Sequence, residues 1–172
     1  MVHAAAAGFQ RSAVVHEGCL YLRSHLCDEW KAGFAKVDMG EAVRSVAIGH
    51  EHILVLTESG RLFTYGRNSY SQLCQRSDFI GVDEVELPTL VDLRCELEAV
   101  AAGEFHSILL TRTGRVLASG LNRQGQLGIG MDTGMQRFPK EVEGLPPCVA
   151  VDASFNFTLA LDGDGKVWSW GA

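Results

Sequence analysis

The sequence predicts an all-β chain built from repeated antiparallel hairpin modules. Three observations carry this: a segment of about 50 residues recurs, each copy is a pair of short apolar stretches, and glycine closes their connection at the same place. The copies are Ala5–Leu22, Val46–Gly66, Val100–Gly120 and Val151–Gly171, with turn glycines Gly18, Gly60, Gly114 and Gly165 spaced by 42, 54 and 51 residues. Glycine is in surplus, 19 residues against the roughly 12 of average usage, and prolines number only 4, as many tight turns between short strands require.

Each copy has the same grammar. A strand of small apolar residues ends at Gly8, Gly49 or Gly103, with Ser154 in that place in the fourth copy. An aliphatic strand follows: Ile53–Leu56, Ile108–Leu110, Thr158–Leu161. A short polar connection then closes on Gly60, Gly114 or Gly165, where glycine supplies the positive φ of a bulge-type hairpin loop. A β-branched or aromatic strand returns at Leu62–Tyr65, Val116–Ser119 and Val167–Trp170, with alternation that fits a strand better than a helix.

Between copies, Phe34–Asp38, Thr89–Leu93 and Pro139–Val142 supply a further strand each. Three or four strands per unit of this length is the strand count of a propeller blade. The stretch Arg23–Lys31 is long enough for a turn or two of helix and no more. All of 1–172 reads as a single repeat domain with repeat cores 5–22, 46–66, 100–120 and 151–171.

The run Gly120-Leu121-Asn122-Arg123-Gln124-Gly125-Gln126-Leu127-Gly128-Ile129-Gly130, with Val100-Ala101-Ala102-Gly103-Glu104-Phe105-His106-Ser107 upstream, resembles the paired signatures of the regulator of chromosome condensation (RCC1) repeat family. The second copy keeps Gly66, Asn68, Gln72 and Leu73 but has Ser71 and Cys74 where glycine would stand. The histidine place holds Arg11 in the first copy and Phe157 in the fourth. The resemblance implies a partial β-propeller of four-stranded antiparallel blades, three to three and a half repeats of a ring that usually has seven. Such an arc has unpaired sheet edges, Trp168 and Trp170 lying on one of them. It is therefore expected to be a portion of a longer polypeptide, or else completed by another chain.

Composition bounds the function classes. The formal charge is −6 and no Lys/Arg cluster offsets it, which argues against direct nucleic-acid binding. No apolar run approaches the length of a membrane span. The five cysteines, Cys19, Cys27, Cys74, Cys95 and Cys148, form no C-x-x-C pair, so neither a zinc site nor a disulfide framework is expected. The reading is a cytoplasmic or nuclear protein, since the alanine-rich start also matches the repeat.

Candidate sites divide into framework and face. His52 and His106 are read as structural, each bonding loop backbone inside its own blade. Gly49, Gly60, Gly103, Gly114, Gly128 and Gly165 are read as turn formers, with Gln126 and Leu127 in the motif loop and the leucine packed inward. The glycine-rich run lacks the Lys-Ser/Thr and following helix of a phosphate loop. Ser12, Ser107 and Thr158 have no His–Asp pair beside them and read as hydroxyls bonding turn backbone. His50-Glu51-His52 does not converge as metal ligands do on a strand or loop. No catalytic residue, cofactor or metal is expected, and Trp30 reads as a local core residue.

The resemblance implies a partner-binding face at the two positions between motif glycine and histidine: Phe9 and Gln10, His50 and Glu51, Glu104 and Phe105, Phe155 and Asn156. These vary between copies while their framework repeats, as a binding face on a rigid scaffold would. The expected function is a non-enzymatic protein–protein interaction scaffold. The alternative is guanine-nucleotide exchange on a small GTPase, for which no inserted segment can be placed. The resemblance to the family's UV-B photoreceptor branch fails, because the first face position holds Phe9, His50, Glu104 and Phe155 instead of tryptophans.

Overall fold

The apolar stretches of each copy form a meander, and four meanders follow one another along the chain. The protein is seen here in a computed structural model that describes residues 2–8, 11–24, 33–75, 83–130 and 134–172. The first blade is β1 (Val2–Ala7), β2 (Arg11–His16), β3 (Cys19–Ser24) and β4 (Ala35–Val37). The second is β5 (Val43–Ile48), β6 (His52–Thr57), β7 (Leu62–Arg67) and β8 (Glu84–Leu90). The third is β9 (Leu97–Ala102), β10 (His106–Thr111), β11 (Val116–Leu121) and β12 (Met135–Glu141). The fourth has β13 (Cys148–Ser154), β14 (Phe157–Asp162) and β15 (Val167–Gly171). Each sheet runs in chain order and every pairing is antiparallel. The fold is thus a partial β-propeller, with three four-stranded blades and a three-stranded fourth among the described residues.

Position in the arc sets the burial pattern. β6 and β10 belong to inner blades and are buried on both faces, hence the near-continuous apolar runs HILVLT and HSILLT. β2 and β14 belong to the end blades and alternate. The core sits in the seams between blades. Ala13 and Val15 of the first blade pack in one cluster with Ile53 and Val55 of the second. Leu54 and Leu56 pack with Leu97 and Leu109. Ile108 and Leu110 pack with Ala160, Trp168 and Trp170. Each fully buried leucine contributes roughly 1.5–3 kcal/mol by leaving water.

The turn glycines do more than reverse the chain. Gly18, Gly60, Gly114 and Gly165 share a left-handed φ of 73 to 84°. In the first three blades the glycine carbonyl accepts from the first strand of the following blade: Val43 N at 2.8 Å, Leu97 N at 2.9 Å and Cys148 N at 2.8 Å. The hairpin turn is therefore also a seam contact.

The outer strands differ from their expected bounds. β8 and β12 start at Glu84 and Met135, well before Thr89 and Pro139. Facing solvent, they carry no apolar run to betray them. Pro88 and Pro139 lie inside these strands, where a free edge asks for no ladder N–H. Arg23 and Ser24 end β3, not a helix; the rest of the expected helical turn, Trp30 included, lies outside the described residues. Trp168 and Trp170 lie on the edge strand β15, which pairs with β14 alone among the described residues, and their ring N–H groups bond Asp162 Oδ2 and the Gln126 carbonyl, each at 2.9 Å.

Candidate protein-binding face

In the second and third blades the loops after the first and third strands emerge at one end of the sheet. Gly8, Gly49 and Gly103 begin the first kind with one bond, the glycine N–H donating to the carbonyl of residue 11, 52 or 106 at 2.8 to 2.9 Å. A Cβ on Gly49 would collide with the His52 ring and the Gly103 carbonyl, so glycine lets the blades converge at the axis. The face positions then link across blades: His50 N–H donates to Glu104 O at 3.1 Å, and Glu104 N–H to Phe155 O at 2.8 Å. With Ser154 in the glycine place, the fourth loop tightens to a two-residue turn in which Phe155 takes a φ of 44°. That is a costly conformation for a bulky residue. It leaves the Phe155 side chain 64% exposed.

The eight predicted face residues separate. His50, Glu51, Glu104 and Phe105 are half-buried at this end, and Phe155 stands out into solvent. The His50 and Phe105 rings lie 5.4 Å apart, and Phe105 lies 5.0 Å from Tyr70. Glu51 meets Arg67 at 3.7 Å. Asn156 is the correction: it is buried in the seam, where its Oδ1 accepts from Gln126 Nε2 at 2.9 Å. Phe9 and Gln10 lie outside the described residues. Tyr70 and Arg67 were not anticipated, although loops after strands one and three must share an end of any antiparallel meander.

The second correction concerns the histidines. The His52 and His106 rings do not bond their own blades. His52 Nε2 meets Ser107 Oγ at 3.0 Å, and His106 Nε2 meets Thr158 Oγ1 at 2.9 Å, both on the next blade. The hydroxyls donate back, Ser107 to Gln72 O at 2.6 Å and Thr158 to Gln126 O at 2.8 Å. Each hydroxyl's single hydrogen is thereby used, so each imidazole donates through Nε2–H and leaves Nδ1 bare. Burial above all pushes the pKa values down, to about 3 for His52 and about 4 for His106. These neutral rings are seam pins. In the His50-Glu51-His52 triplet, two residues lie on the face and one in a seam.

The motif loop completes the pins. Asn122 and Asn68 accept from the Leu127 and Leu73 amides at 3.1 Å, and Gln126 and Gln72 accept from residues 124 and 70 at 2.9 Å. Gly125 and Gly128 need positive φ, and Ser71 (61°) and Cys74 (60°) adopt it without being glycine. The repeats then diverge. Gln126 Nε2 has Asn156, whereas Gln72 Nε2 is buried with no partner among the described residues, since Phe105 stands where Asn156 would.

At the axis the inner strands leave a concavity of about 300 Å³ lined by Ile48, Gly49, His50, Gly103, Glu104 and Phe155 among others. Among the described residues no group of three or more His, Cys, Asp or Glu is arranged to hold a metal ion.

A scaffold of blade meanders joined by glycine carbonyls and histidine–hydroxyl pins is a repeat propeller. The chain belongs to the RCC1 family: two models described as "Regulator of chromosome condensation (RCC1) repeat" match it, one at residues 43–72 and 98–126, the other at 59–110 and 113–161. It is 31% identical over 131 residues to the RCC1 domain-containing protein RUG3, mitochondrial, of Arabidopsis thaliana, covering 75% of this chain and 29% of that protein. It is 34% identical over 137 residues to the RCC2 homolog of Xenopus laevis, covering 77% and 26%. The chain thus spans less than a third of the length of these curated relatives. The solved structure of Prp20p from Saccharomyces cerevisiae, reported with its binding properties to Gsp1p and histones, matches with a TM-score of 0.85 at 21% identity. That match covers 99% of this chain and 45% of Prp20p and speaks for the fold.

Proposed function

We propose that this chain is a non-enzymatic protein–protein interaction scaffold whose docking face is formed by His50, Glu51, Glu104, Phe105 and Phe155. The observation that carries this is the exposed Phe155, held at a φ of 44° on a backbone that is bonded blade to blade. A large aromatic fixed at low entropy cost is the kind of residue that dominates binding energy. Affinity capture with the wild-type chain and Phe155→Ala, followed by mass spectrometry, tests it. A partner lost with the variant supports the reading, and a partner set unchanged by the variant ends it.

The 1–172 domain is read as part of a longer propeller, because the fourth blade exposes Phe157 (39%) and Val167 (62%) on the face a further blade would cover. The covering blade comes from the same polypeptide or from a completing chain. Guanine-nucleotide exchange on a small GTPase is the second reading, favoured only by the Gsp1p named with Prp20p. A nucleotide-release assay across small GTPases is expected to be flat. Direct nucleic-acid contact is not expected from a charge of −6. Nucleus or cytosol suits the free cysteines; no helix among the described residues is long and apolar enough to cross a membrane.

A further inference from the structure

Two concavities of the arc differ in charge. The one between the first two blades, about 210 Å³, is lined by Arg11 and Arg23 against Glu84 and Glu86, so it favours neither sign. The mouth at the axis has one sign only. Its walls are Ala7, Gly8, Ile48, Ala102 and Ala153, and Glu104 is the one ionised side chain among the described residues that line it. Among the described residues the Glu104 carboxylate has no salt-bridge partner, unlike Glu51, which has Arg67. A carboxylate in an apolar-walled cleft focuses its field outward and raises the local concentration of cations. Aromatic faces flank it: Phe155, whose carbonyl holds the Glu104 amide, and the His50–Phe105 pair.

We propose that the mouth receives an arginine side chain from a segment of the partner protein, its guanidinium paired with Glu104 and stacked on Phe155. Arginine fits both demands at once, since its planar, weakly hydrated cation bonds carboxylates and stacks on aromatic rings. The chain's net charge of −6 draws a basic segment in the same direction. This deepens the face reading above and rests on it.

The test is an amide-resolved NMR titration of the full chain with a capped tetra-arginine peptide, beside capped tetra-lysine and tetra-glutamate. Saturable shifts at Gly49, Gly103 and Phe155, stronger with arginine than with lysine and absent with glutamate, are expected. Glu104→Gln should weaken binding about two- to fivefold, the size of one half-exposed ion pair, because the stacking on Phe155 remains. Glu143→Gln removes the same charge in the connector before the fourth blade and should leave binding unchanged. Equal weakening by both variants would mean attraction to net charge alone and overturn the proposal, as would shifts confined to other sites. In the partner capture, loss with Phe155→Ala but retention with Glu104→Gln would overturn the arginine proposal and leave the face reading standing. Retention with both would end the two together.

Discussion

The seam between the first two blades and the seam between the last two are built from the same hairpin and are held differently. In the last seam a buried imidazole, a hydroxyl and a carbonyl form one chain: His106, Thr158, Gln126. In the first seam Arg11 stands for the histidine and Ile53 for the hydroxyl. There the guanidinium lies 5.8 Å from the Tyr65 ring centroid and 3.4 Å from Glu84, whose side chain is 45% exposed. The turn-glycine carbonyl bond is common to both seams. What differs is whether the remaining polar contact is a buried neutral relay or an ion pair between a mostly buried Arg11 and a half-exposed Glu84, and these respond differently to pH, salt and truncation.

The largest expected effect is on acid stability. His52 and His106 titrate near 6.5 when unfolded and at about 3 and about 4 when folded. Below pH 6.5 the unfolded chain takes up protons that the folded chain refuses, so stability is full above that pH and falls as pH drops toward the folded values. The slope is roughly 1.4 kcal/mol per pH unit per histidine, or about 4 kcal/mol for both between pH 6.5 and 5. Urea midpoints at pH 7 and pH 5 measure it, and His52→Gln or His106→Gln should each remove about half. An unchanged pH slope in both variants would remove the seam-pin account.

Truncating the pins comes next. Ser107→Ala orphans both the His52 N–H and the Gln72 carbonyl, which keeps only a long 3.7 Å thiol contact from Cys74, and should cost about 2–4 kcal/mol. Thr158→Val orphans His106 alone, because Trp170 still bonds Gln126 O, and should cost about 1–3 kcal/mol. Arg11→Met in the first seam should cost under about 1 kcal/mol and lose even that in high salt. Reversal of this order in denaturant unfolding would mean the seams are held by something other than these contacts.

Smallest is the backbone effect in the second motif loop. Ser71→Gly removes a side chain from a left-handed position and should stabilise by about 0.5–1 kcal/mol, whereas Gly125→Ser at the matching place should destabilise by a similar amount. Thermal melts of the two variants check it.

Much of this was legible in the chain itself. Hairpin strands follow from the alternation and turn from Gly60, Gly114 and Gly165, because their side chains meet neighbours close in sequence. β8 and β12 were placed late, since an outer strand wetted on its edge needs no apolar pattern. Phe105 and Asn156 occupy one motif position and read alike. Only the neighbouring loop distinguishes them, Gln126 drawing Asn156 inward and Phe105 turning toward Tyr70.

The sequence by itself determined the repeat, the family and the strand order, because hairpin register is a local matter of turn glycines and alternating apolar residues. Only the tertiary structure decided which blade each polar side chain serves. His52 lies 55 residues from its partner Ser107 and His106 lies 52 from Thr158, separations no local pattern encodes. Those pairings exist because wedge-shaped sheets, packed around an axis, bring the same place of successive repeats within hydrogen-bond reach.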